Sequence, residues 1–245
     1  MTLKSKCLAL GMLIASATFS FADDTASWKD RVARLTKAID ASPTTVDLYS
    51  QRGDARFFLG EFATAAADYD KMVELVPADD AGHWRRGIAW FYAGEYEKAA
   101  GQFERYHSFD NVDRENGIWR YLCQRKASGL EKAREGLLKY EKDDREPFGD
   151  VYRLFEGKIT SEELLDKIRE AKISDTEREK RLFYAELYVG LNEAVEGRED
   201  SAKTHLAAAA KNTWGEKAGY GPNYMWQVAR RHAEELAKPK PVEQR

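Results

Sequence analysis

Between residues 27 and 237 the apolar positions recur mostly at intervals of three and four, and no stretch shows a convincing two-residue alternation. The pattern predicts an all-α chain. The apolar stripes stop at glycines, and the stops are themselves periodic. Gly53, Gly60 and Ala65 are followed 34 residues later by Gly87, Gly94 and Ala99. On the same offset Arg52, Phe57, Glu61 and Ala66 recur as Arg86, Phe91, Glu95 and Ala100, and Phe62 and Tyr69 recur as Tyr96 and Phe103.

This spacing has a physical reading. Gly53 and Gly87 fall in the middle of a predicted helix, where glycine is about 1 kcal/mol worse than alanine. They are expected where a bulky side chain of the neighbouring helix needs the space. Gly60 and Gly94 are expected to end the first helix of each pair in the left-handed conformation. Ala65 and Ala99 let the paired helices approach, with Tyr69 and Phe103 filling the wedge beside them. Pro77 stops the second helix. A 34-residue period of this kind resembles the tetratricopeptide (TPR) repeat. That resemblance implies helix-turn-helix units stacked in a right-handed superhelical solenoid, whose usual role is binding.

The organisation predicted is a leader at 1–22, one helical domain at 23–237 and a polar, proline-containing tail at 238–245 that reads as disordered. Within the domain, Trp28 to Ala41 reads as a half repeat. Units follow at about 46–79 and 80–113, a degenerate one at 114–146 with Leu137 and Leu138 on its second helix, and variants at 147–182 and 183–216. Gly157 ends a helix, Thr160-Ser-Glu-Glu163 is a capping box, and Gly190, Gly197 and Ala202 restore the repeat spacing. Residues 213–223 read as an irregular loop. Asn223 is expected to cap a final helix that shields the last repeat.

Lys4 and Lys6, the apolar run from Cys7 to Phe19 and Ser20-Phe21-Ala22 have the order of an export signal cleaved after Ala22. The expected product is periplasmic or secreted and has no membrane span; a retained anchor is the alternative. Losing the two lysines takes the formal charge from −3 to −5. No long basic stripe appears, which argues against nucleic acid. Cys123 is then the one remaining cysteine, and its apolar surroundings suggest a buried thiol; a reactive thiol is the other reading.

No catalytic, cofactor-binding or metal-ligating constellation emerges. The four histidines are scattered, and no zinc-protease, phosphate-loop or nucleophile-elbow motif occurs. The charged run Glu141-Lys-Asp-Asp-Arg-Glu146 reads as a solvated loop. The chain is therefore read as non-enzymatic, with a protein or peptide as its partner. The expected binding surface is the inner face of the first helices. It comprises Gln51, Asp54, Phe57 and Phe58 in the first unit, Trp84, Arg85, Ile88, Phe91 and Tyr92 in the second, and Tyr184 and Tyr188 in the late one. These aromatics can equally be core. A second expectation is a glycan-binding face built on Trp84, Phe91, Tyr92 and Tyr188, and a third is an enzyme of unrecognised type.

A narrower resemblance rests on four segments in order. They are His83-Trp-Arg-Arg-Gly87-Ile-Ala-Trp-Phe-Tyr92-Ala-Gly94, Trp119-Arg-Tyr121-Leu122, Val151-Tyr-Arg-Leu-Phe155-Glu-Gly157-Lys-Ile159-Thr-Ser-Glu-Glu-Leu164, and Phe183 to Gly197. Over about 46–236 the chain resembles the family of the periplasmic lipoprotein NlpI, without that family's lipobox. The resemblance implies an all-helical, often dimeric adaptor that brings peptidoglycan hydrolases to a processing protease.

Overall fold

The computed structural model describes residues 21–238; the rest of the expected leader and tail lies outside the described residues. Thirteen α-helices follow one another, with no strand among the described residues. They are α1 (Phe21–Ala41), α2 (Val46–Leu59), α3 (Phe62–Leu75), α4 (Trp84–Tyr92), α5 (Tyr96–Phe109), α6 (Arg114–Ser128) and α7 (Leu130–Glu135). After them come α8 (Phe148–Phe155), α9 (Ser161–Glu170), α10 (Asp175–Val195), α11 (Glu199–Ala210), α12 (Thr213–Lys217) and α13 (Tyr220–Ala237). Except for α7 and α8, both of which pack on α6, consecutive helices pack against each other, giving an all-α helical-repeat solenoid.

The glycine and alanine positions account for that packing. A β-carbon placed on Gly53 would lie 2.6 Å from the Tyr69 ring, on Gly87 2.6 Å from Phe103, and on Gly190 2.6 Å from Leu206. Ala65, Ala99 and Ala202 are fully buried at the same crossings. The turns repeat as well. Gly60 has φ 82°, and its N–H donates to the Phe57 carbonyl at 2.9 Å while the Glu61 N–H reaches the Arg56 carbonyl at 2.9 Å. The same pair forms at Gly94, whose N–H donates to the Phe91 carbonyl while the Glu95 N–H donates to the Trp90 carbonyl. These closures satisfy the last helical carbonyls, and they need a left-handed residue.

A buried polar pair recurs on the same period. Arg52 donates to Asp68, with nitrogen and oxygen 2.7 Å apart, and 34 residues on Arg86 Nε donates to Gln102 at 3.0 Å. Each links the first helix of a unit to the second.

Two local expectations are corrected. In the third unit α7 ends at Glu135, so Leu137 and Leu138 lie in an irregular segment rather than on a helix. That segment is held instead by hydrogen bonds from Arg120 to the Gly136 carbonyl and from Tyr152 to the Leu138 carbonyl, the latter 2.6 Å. At the far end, residues 213–223 are mostly helical. Asn212 caps α12 by accepting from the Gly215 N–H at 3.0 Å. Asn223 lies inside the first turn of α13, where its side chain donates to the Glu216 carbonyl at 2.7 Å. Elsewhere the Thr160–Glu163 capping box forms in both directions, at 2.7 and 3.1 Å. Cys123 is buried, and burial pushes its thiol well above the usual range.

Candidate functional site

The last helix decides what the inner face offers. α13 packs on α11 and α12 and also reaches α2. Tyr224, fully buried, stacks on Phe57 with centroids 5.1 Å apart, tilts against Phe58 at 5.3 Å and meets Trp84 edge-on at 5.0 Å. Its hydroxyl lies 3.3 Å from that of Tyr69. Further along, the Tyr92 hydroxyl lies 2.8 Å from His232 Nδ1. Four of the rings expected to line a groove, Phe57, Phe58, Trp84 and Tyr92, therefore clasp the chain's own C-terminal helix.

Of the expected surface, Phe57, Phe58, Ile88, Phe91, Tyr184 and Tyr188 are buried. Their large apolar area is removed from water by neighbouring helices, which is the ordinary fate of such side chains. Gln51 is engaged by Arg31 at 3.1 Å and itself donates to Asp47. Arg85 donates to Asp54 at 2.7 Å and to Ser50 at 3.0 Å, and its guanidinium lies over the Tyr69 and Tyr220 rings. Tyr220 donates to the other Asp54 oxygen. Burial opposes the charge on Arg85, but Asp54 holds its pKa above the usual value. This polar cluster ties α13 to α2 and α4 and is not free for a partner.

What stays open is a pocket of about 330 Å³ at the inner edge of α4, α6 and α10, with α13 closing one side. Trp84, Tyr106, Trp119, Tyr184 and Met225 supply its apolar walls, and Asp113, Glu115, Asn116 and Arg145 its polar side. Asp113 is the N-cap of α6 and accepts from the Glu115 N–H at 3.0 Å, which sets both carboxylates at one helix start. Arg145 reaches Asp113 at 3.3 Å and Asp144 at 3.2 Å, donates to Glu115 and lies 4.2 Å over the Phe148 ring. Tyr188 donates to the second Glu115 oxygen. Burial pushes the Glu115 carboxyl up to about 7; Arg145 opposes the shift and Asp113 adds to it. Chemically the pocket can receive a group with an apolar body and a polar head. Glu115 would change charge near neutral pH.

Of the residues singled out in the sequence, Trp84 and Tyr184 line this pocket and Arg85 does not, while Asp113, Glu115 and Arg145 were not singled out. Arg145 and Asp144 sit in the run read as a solvated loop. Most of that run is exposed, as a solvated loop would be, but the Asp144 side chain is turned in, at 6% exposed, and half-exposed Arg145 reaches the carboxylates at the start of α6. Only the Asp113-Arg-Glu115 helix start carried a legible signal, that of an acidic N-cap with an acidic first turn. Among the described residues no group of three histidine, cysteine or acidic side chains could hold a metal ion. No described helix is long and apolar enough to cross a membrane.

Comparison with known proteins adds little beyond the fold. No family model matches the chain. A stretch of 66 residues is 38% identical to a protein SGT1 homolog from Oryza sativa subsp. japonica. The match covers 27% of this chain and 17% of that protein.

Proposed function

We propose that this chain is a non-catalytic TPR-type scaffold that binds a protein or peptide segment, and that the segment enters the pocket between Trp84, Trp119 and Arg145. The observation that carries the reading is the contrast along the inner face. Most of that face is filled by α13, whereas the pocket beside it remains open and combines aromatic walls with an anchored arginine–carboxylate set. Interface energy concentrates in such aromatic and arginine positions. The NlpI-like segments extend the proposal to an exported adaptor, working as a dimer on envelope or peptidoglycan hydrolases and a processing protease.

The glycan reading has less support. Of its four rings, Phe91 and Tyr188 are buried and Tyr92 faces His232, which leaves Trp84 at the pocket.

A photo-crosslinking residue in place of Tyr106, which lines the pocket, tests the proposal in an envelope extract. The same residue at exposed Lys37, on α1, is the control. The scaffold reading expects a defined protein captured from the pocket position and not from Lys37. Capture of the same proteins from both positions, or none from the pocket, rejects it.

A further inference from the structure

A second cavity, of about 620 Å³, opens between α7, the 136–147 segment and α8, and shares no residue with the inner-face pocket. Its lining carries five cations and two carboxylates, in a chain whose formal charge is −3. Two of the cations are answered locally, Arg153 by Asp150 at 3.2 Å and Lys158 by Glu156 at 3.0 Å. Among the described residues the other three, Arg114, Arg134 and Lys139, have no carboxylate within ion-pair distance. Arg114 lies over the Tyr140 ring at 5.2 Å, and its buried Nη1 has no hydrogen-bond partner among the described residues.

The cavity is built rather than incidental. Tyr140 donates to the Asp113 carbonyl at 3.2 Å and Tyr152 to the Leu138 carbonyl at 2.6 Å. These two bonds, with the one from Arg120 to Gly136, fix the irregular segment that forms its wall. Three unanswered like charges in one cleft repel each other, and a shared anion relieves all three. The buried Arg114 donor without a protein partner is one more group that such an anion would satisfy. Guanidinium groups match the oxygens of phosphate in planar pairs. The Tyr140 and Tyr152 rings, with Leu137 and Leu138, offer apolar surface beside the charges.

The geometry points to a binding site for the phosphoryl group of a small organic molecule. Two negative charges on one group suit three cations better than a monocarboxylate does. Nucleic acid is a poor fit, because the sequence carries no long basic run to follow a phosphate backbone.

The test is titration calorimetry of the full chain with inorganic phosphate, phenyl phosphate and acetate at constant ionic strength. Saturable one-to-one binding of the phosphates is expected. Phenyl phosphate binding more tightly identifies an organic phosphate as the ligand, and equal binding identifies free phosphate. Acetate binding as tightly overturns the phosphoryl assignment. Arg134 and Lys139 are exposed, so Arg134→Gln with Lys139→Gln keeps the fold, as circular dichroism would check. The pair should weaken phosphate binding by roughly tenfold or more, since two charge-assisted contacts are lost. No saturable binding, or unchanged binding by the double variant, overturns the site. Trp84→Ala should leave this binding unchanged, which separates the outcome from that of the inner-face pocket.

Discussion

The Tyr92 hydroxyl sits 2.8 Å from His232 Nδ1, joining α4 to α13 across 140 residues of sequence. Burial, with Lys126 adding to it, holds the His232 imidazole down to about 4, so it is neutral in the folded chain at neutral pH. The unfolded chain takes up its proton first, below about 6.5. Stability from this group is therefore complete above that pH and is lost as pH falls from about 6.5 to 4. His232→Phe should flatten that part of the acid limb. Urea unfolding of both proteins at pH 7 and pH 5 checks it, and an unchanged slope would show that His232 is not buried neutral.

Glu115 works in the opposite sense. Its carboxyl titrates at about 7 in the folded chain against 4.5 ordinarily. The folded state holds the proton longer, so stability falls as pH rises from about 4.5 to 7. Glu115→Gln removes the group. Relative to the variant, the native protein should lose up to about 3 kcal/mol between pH 5 and pH 7.5, at roughly 1.4 kcal/mol for each tenfold difference in proton affinity between the folded and unfolded chain. Parallel stability curves for the two would contradict this.

Two glycines should respond with opposite signs. Gly87→Leu forces a side chain into the Phe103 ring and should destabilise by about 1–3 kcal/mol, unfolding the second unit and its neighbours. Gly101, inside α5, has only the tip of Arg105 near an added β-carbon, at 3.6 Å. Gly101→Ala should stabilise by roughly 0.5–1 kcal/mol. Melting temperatures decide both.

Trp84→Ala should leave a folded, helical chain, because Trp84 is only part-buried, at the pocket edge. If the pocket takes the partner, affinity for the captured protein should drop at least tenfold, about 1.4 kcal/mol or more. Tyr92→Ala is a different case. Its ring packs on Phe62 at 4.9 Å and Phe57 at 5.5 Å, so that variant should lose about 3 kcal/mol of stability. Native affinity in the Trp84 variant would move attention to another face.

The sequence by itself determined the helical hairpins. Gly53 with Tyr69, Gly87 with Phe103, the left-handed Gly60 and Gly94, and the Thr160 capping box all rest on contacts within one helix pair. Their geometry is local, so it leaves a fixed spacing in the chain. Tertiary structure alone decided which inner-face residues are free. Phe57 and Tyr224 lie far apart in sequence, and nothing in the period says that the last helix folds back over the first units. The same holds for Glu115 and Arg145. An arginine in a charged run looks solvated until an irregular segment carries it onto a buried carboxylate at the start of another helix. Burial depends on which distant elements close over a residue, and a short-range pattern of apolar and polar positions holds no record of that.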